Sequence, residues 1–280
     1  MKLLRYGPPG AEKPGLLDAD GTIRDLSGVV PDLAGEALTP EGLAQIAAAD
    51  PATLPKVEGN PRLGPPVAGT SKLICIGLNY SDHAAETGQK VPPEPIIFMK
   101  ANSAIVGPDD EVRIPRGSVK SDWEVELAVV IGKAAKYVSE DEAMDHVAGY
   151  CVANDISERA FQTERAGQWT KGKSCDTFGP LGPWLVTADE VDDPQALPLW
   201  LKVNGETMQE GTTGTMVYGV RYLVSYLSQF MTLLPGDVIS TGTPPGVGMG
   251  MNPPRFLKAG DIMELGVEGL GVQRQVCAAD

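Results

Sequence analysis

Cysteine and histidine are scarce in this 280-residue chain, with four of the first and two of the second. Cys75, Cys151, Cys175 and Cys277 form no C-x-x-C pair, so the spacing suggests neither a zinc site nor a disulfide framework, and a reducing, cytoplasmic setting is expected. Positive charge is also in short supply: 23 Lys and Arg stand against 37 Asp and Glu, for a net charge of −14 and a pI near 4.6. Nucleic acid and anionic membrane surfaces are thereby disfavoured as partners, because phosphate backbones need a basic surface. A small anionic substrate responds to local charge only and stays compatible. No apolar run approaches the roughly 18 residues of a membrane span, and "MKLLRYGPPG" has only two leucines before charge and proline, unlike a signal peptide.

Glycine (33) and proline (24) are plentiful and imply many turns. "MKLLRYG" and "PGLLDADGTIRDLSGVV" read as short strands around an Asp20-Gly21 hairpin turn. Thr39 and Pro40 read as the N-cap and first residue of a short helix. "EGNPRLGPPVAGTSK" reads as a linker, which divides the chain into a small N-terminal domain over 1–68 and a larger one over 69–280. The larger part is strand-rich, with segments such as "KLICIGLNY", "EPIIFMKAN", "EVELAVVIG", "GYCVANDIS" and "GDVISTGTP" bounded by Gly, Pro, Asn or Asp. Two helices interrupt it. One starts at the Ser139/Glu142 capping box and runs to about 147; the other places apolar residues 220, 223, 224, 227, 230 and 231 on one face. The class is mainly β, of α+β type.

The segment "WEVELAVVIG" carries the first chemical signal. Residues i and i+2 of a strand share a face, so Glu124 and Glu126 project together. Two close carboxylates repel unless something neutralises them, and a divalent cation such as Mg²⁺ does so. Read alone, the pair fits the solvent face of an amphipathic strand better than a metal site. Asp155, at the end of "CVANDIS", is either a turn or cap residue or a third carboxylate at a neighbouring strand end; basic residues Arg159, Arg165, Lys171 and Lys173 follow it. Of the two histidines, His146 reads as a surface or capping residue of the 140–147 helix. His83, in "GLNYSDHAAETG", stands at i, i+3 with Glu86, the spacing of either a water-activating dyad or an exposed helical pair.

Eight segments in order resemble the fumarylacetoacetate hydrolase family: "GLNYSDHAAE", "PIIFMKANSAIVGP", "SDWEVELAVVIG", "VANDISERAFQ", "GKSCDTFGPLGPW", "VNGETMQEGTTGTMVY", "LLPGDVISTGTPPGVG" and "LKAGDIMELGVEGLG". The resemblance implies a mixed β-roll or barrel with a small N-terminal domain and a divalent metal, Mg²⁺ or Mn²⁺, at its mouth. Carried over by motif, Glu124, Glu126 and Asp155 hold the metal; His83 and Glu86 activate water from a lid; Lys173 stabilises an oxyanion. Arg159 and Gln162 lie near the substrate carboxylate or the metal waters, and Thr241 and Gly242 offer a hydroxyl and a backbone amide. Two departures are visible: the S-A-R-D segment of the family reads Ser157-Glu158-Arg159-Ala160, and Cys175 stands where Phe is common. The implied activity is metal-dependent C–C hydrolysis of a 2,4-diketo (acylpyruvate-type) acid, such as a 2,4-diketo-3-deoxy sugar acid, releasing pyruvate. Alternatives are decarboxylation of a 2-oxo diacid such as oxaloacetate, a ureidoglycolate lyase activity, or an inactive metal-binding structural or regulatory homologue. A homodimer is expected from the resemblance.

Overall fold

The computed structural model describes residues 1–82 and 91–280. Among these, the main sheet has eleven strands. Its path runs from Ile23–Asp25 through Lys13–Leu17, Lys2–Tyr6, Gly179–Thr187, Val147–Asn154, Val125–Ile131, Val238–Ser240 and Leu73–Gly77 to Ile96–Lys100. After Ile96–Lys100 the chain turns into Ile105–Val106, which pairs in parallel with Gly179–Thr187. The sheet therefore curls back on itself as a roll. Lys2–Tyr6 pairs with both Lys13–Leu17 and Gly179–Thr187, so sheet hydrogen bonding crosses the boundary placed at residue 68.

Side-chain alternation explains the roll's two faces. In Val125–Ile131 the odd residues Val125, Leu127, Val129 and Ile131 join one core, and Ala128 and Val130 the other. The odd face packs on a five-stranded sheet, through Leu199, Leu201, Met263 and Leu265, and on the helix Val220–Phe230. The even face looks into the roll, where Leu3, Leu33, Leu38 and Leu73 gather. Glu124 and Glu126 belong to this inner face, at the end where the apolar residues stop.

The expected helix starts are present. Thr39 accepts from the Gly42 amide at the start of Pro40–Ala47, and Ser139 with Glu142 forms a complete capping box. Three expectations need correction. The helix over 140–147 is α-helical only for Glu140–Ala143; Met144–His146 tightens to 3-10 as the chain turns into the Val147–Asn154 strand. His146 is not on the surface: it is buried, with Nδ1 3.1 Å from the Lys133 carbonyl. The second helix buries Val220, Leu223, Val224 and Leu227 as expected, but Phe230 at its end is exposed. Phe230 joins Tyr218, Tyr222 and Tyr226 in a ladder of ring contacts along the outer side.

Candidate metal centre and adjoining pocket

Sheet register builds the acidic cluster. Val125 pairs with Asn154, and the Asp155 amide donates to the Glu124 carbonyl at 2.9 Å, so Glu124 and Asp155 face each other across adjacent strand ends. Asn154, itself buried, accepts from the Glu124 amide at 3.2 Å and fixes the turn. Glu126 lies one pleat deeper on the same face. All three carboxylates are buried, and ligand oxygens from each lie within 4.8 Å of one another. Burial, then the charges of Asp155 and Glu124, pushes the Glu126 carboxyl well above its ordinary range. Its Oε2 accepts from Ser240 Oγ at 2.5 Å and the Gly242 amide at 2.9 Å, while Oε1 accepts no hydrogen bond from the described residues.

Cations frame the cluster. Lys173 Nζ donates to Glu124 Oε2 and Asp155 Oδ2, both at 2.7 Å. Arg159 donates through Nη2 to Glu124 Oε1 at 2.6 Å, through Nε to Asp122 Oδ2 at 2.9 Å and through Nη1 to Gln162 Oε1 at 3.2 Å. Burial alone would lower the Lys173 and Arg159 pKa values, but the neighbouring carboxylates raise both, so each stays protonated. Lys100 donates to Asp155 Oδ1 at 2.5 Å and to the Ile156 carbonyl at 2.9 Å. Three buried cations thus face four buried carboxylates, a balance that leaves room for added positive charge.

Lys100 and Asp122 were not singled out from the sequence. A lysine ending an apolar strand is ordinarily a solvent-seeking tip. Asp122 did leave a signal: D-W-E-V-E places acids at 122, 124 and 126, all of one parity. Asp122 also accepts from the Gly248 and Met249 amides, at 2.7 and 3.0 Å. Gly248 permits that approach, since a Cβ there would lie 1.9 Å from the Arg255 carbonyl oxygen.

A pocket opens beside the carboxylates, lined by Glu124, Glu126, Arg159, Gln162 and Lys173, and by Ile76, Leu78, Phe98, Trp169, Met249, Thr163 and Thr243. Three of the residues expected to meet substrate, Arg159, Gln162 and Lys173, therefore line the pocket together with Glu124 and Glu126, and Asp155 adjoins it through Lys173. Thr241 turns its hydroxyl to the Leu127 carbonyl at 2.9 Å, and the Gly242 amide holds Glu126, so this pair braces the ligand strand. Thr243 is the residue of that segment that lines the pocket. Leu78 sits at φ 54°, a left-handed conformation that costs a non-glycine residue about 1 kcal/mol or more. The neighbouring Asn79 imposes it, donating to the Tyr218 and Thr241 carbonyls and accepting from the Tyr218 amide. His83 and Glu86 lie outside the described residues.

Residues 72–277 match the model of the fumarylacetoacetate (FAA) hydrolase C-terminal domain. The chain belongs to the fumarylacetoacetate hydrolase family. A relative from Burkholderia multivorans, named as a hydrolase, is 64% identical over 280 residues, covering 100% of this chain and 99% of its own. The fumarylacetoacetate hydrolase of the psychrophile Exiguobacterium antarcticum has the same fold, with TM-score 0.90, 35% identity and 100% of both chains covered. The maleylpyruvate hydrolase of Sphingobium sp. SYK-6, solved with manganese(II) and pyruvate, superposes with TM-score 0.82 at 28% identity, over 100% of this chain and 99% of that one. The mainly β, roll-type architecture is that of the family, and the carboxylate cluster is placed to hold a metal. No helix among the described residues is long and apolar enough to cross a membrane.

Proposed function

We propose that this fumarylacetoacetate hydrolase family member is a divalent-metal-dependent hydrolase that cleaves a C–C bond in a 2,4-diketo acid of the acylpyruvate type and releases pyruvate. The buried Glu124–Glu126–Asp155 cluster beside protonated Lys173 and Arg159 carries this reading. An all-oxygen donor set suits a hard cation, Mg²⁺ or Mn²⁺. The Oε1 of Glu126, which accepts no hydrogen bond from the described residues, fits one, since a carboxylate this deeply buried and beside two further acids is costly. When bound, the cation supplies Lewis-acid polarisation of the 2-oxo acid end. The manganese and pyruvate held by the Sphingobium neighbour support that assignment of metal and product.

The chain's own groups divide the remaining work. Arg159, held by Asp122 and Glu124, offers its guanidinium edge with Gln162 to the substrate carboxylate. His83, the histidine of the His83/Glu86 pair expected from the sequence, takes a proton from water, whose oxygen adds to the C4 carbonyl. Lys173 Nζ, a fixed cation in a buried site, donates to the alkoxide that forms. The C3–C4 bond then breaks: C4 leaves as a carboxylic acid, and C3 takes the electron pair and then a proton to give pyruvate, with one water consumed.

The test is to incubate metal-stripped protein, with and without Mg²⁺, with acylpyruvates, diketo sugar acids, oxaloacetate and ureidoglycolate, assaying pyruvate and glyoxylate. The expected result is equal yields of pyruvate and a second acid from a 2,4-diketo acid, only with the ion present. Turnover in stripped protein overturns the reading, as does glyoxylate or carbon dioxide as the sole product.

A further inference from the structure

The pocket beside the carboxylates has two chemistries. Its polar part ends at Arg159, Gln162 and Lys173; the rest of the described lining is mainly apolar surface from Ile76, Leu78, Phe98, Trp169 and Met249, with two threonines. Those threonines donate to backbone instead of ligand. Thr163 Oγ1 gives its proton to the Arg159 carbonyl and Thr243 Oγ1 to that of Val125, each at 2.9 Å. The Gln162 carbonyl oxygen is taken by Arg159.

The hydrocarbon part is held in place by specific features. Phe98 and Trp169 meet edge to face, with ring centroids 5.3 Å apart at 64°. Trp169 reaches that position because residue 77 is glycine: a Cβ at Gly77 would stand 2.7 Å from the indole Cζ3. Leu78 is kept in the pocket wall in a left-handed conformation, pinned by the buried Asn79. The Lys173 ammonium lies 4.9 Å from the Phe98 ring centroid, so the apolar part begins directly beside the cation that meets the reacting carbonyl.

We propose that Leu78, Phe98, Trp169 and Met249 form a specificity surface that selects 2-oxo acids whose end remote from the carboxylate is hydrocarbon, alkyl or aryl, over hydroxylated sugar-acid chains. This rests on the reading above in one respect, that the acid head lies at the carboxylates and their cations. A hydroxyl pressed against the side chains of Leu78, Phe98 and Met249 or the face of the Trp169 ring gives up water and gains no strong partner there, which weakens binding roughly tenfold or more per hydroxyl. An alkyl or aryl group loses nothing there and gains the burial of its own surface.

A matched pair of acids with no oxygen at C4, and so neither hydrolysable nor able to meet Lys173 there, tests this: 2-oxoheptanoate and 7-hydroxy-2-oxoheptanoate, titrated calorimetrically into Mg²⁺-supplemented protein. The expected result is tighter binding of the alkyl acid, by about tenfold. Trp169→Ala should erase most of that preference while leaving Mn²⁺ affinity unchanged. Gly77→Ala, which displaces the indole without removing it, should do the same and guards against a folding defect in the first variant. Equal or tighter binding of the hydroxylated acid overturns the proposal, and so does a failure of both acids to bind. Failure of the proposed reaction reads out separately, as the absence of pyruvate from any acylpyruvate while the binding preference persists.

Discussion

At the scale of single residues, the acids and their cations have separable tasks. Glu126→Ala removes the carboxylate whose Oε1 is unengaged by the described residues; it should abolish Mg²⁺ binding in calorimetry together with turnover. Lys173→Met is expected to behave differently. The ammonium that bridges Glu124 and Asp155 disappears, so kcat should fall by about 100-fold or more, the usual cost of losing one oxyanion donor. Metal affinity should not fall, because the two freed carboxylates repel each other and welcome a cation. A parallel loss of both properties in Lys173→Met would mean that the lysine merely holds the fold. The three acids could be read in the sequence because strand periodicity puts 124 and 126 on one face, and because Asp155 ends an apolar run. Lys100 could not, since its burial depends on which strand end it meets. Leu78 was equally hidden: its left-handed backbone comes from hydrogen bonds that Asn79 makes to residues 218 and 241.

Individual elements follow local rules more closely. Thr39→Ala should cost about 1 kcal/mol of stability in denaturant titration, through loss of the cap on the Gly42 amide. The capping box at Ser139 was equally readable, but the end of that helix was not, because nothing local announces that residue 147 starts a sheet strand. His146 is hidden for the same reason, since the turn into that strand buries its ring beside the Lys133 carbonyl. Near the N-terminus, Arg62 clamps Glu12 and Asp110, at 2.9 and 2.6 Å. Burial alone would raise the Glu12 carboxyl, yet hydrogen bonding from Arg62 and the charges of Arg5 and Arg62 hold it below its ordinary value. A carboxyl with a depressed folded pKa stabilises the fold above its unfolded pKa, and that contribution fades as pH drops through the folded value. The native protein should therefore lose more stability than Arg62→Met between neutral pH and about pH 3, measured by chemical denaturation.

At the level of the whole molecule, most strands were legible from apolar patterning and their Gly or Pro borders, whereas their order was not. Nothing local says that Val238–Ser240 lies between Leu73–Gly77 and Val125–Ile131, or that Ile105–Val106 closes the roll on Gly179–Thr187. The family resemblance supplied the architecture that periodicity alone leaves open. If a cation binds the acids, chelation should lower the melting temperature as well as stop turnover. Saturation at 100 times the dissociation constant is worth about 2.7 kcal/mol. Equal melting temperatures with and without excess Mg²⁺ would argue against binding there.

The acids and their supports are drawn from stretches scattered across the chain, at positions 100, 124 to 126, 155, 173 and 240 to 242. No fragment spanning only some of these can assemble the cluster. Under the proposed function, uptake of the ion is then a late milestone on the way to the native state, and a spectroscopic Mn²⁺ signal would mark the moment when the roll has shut.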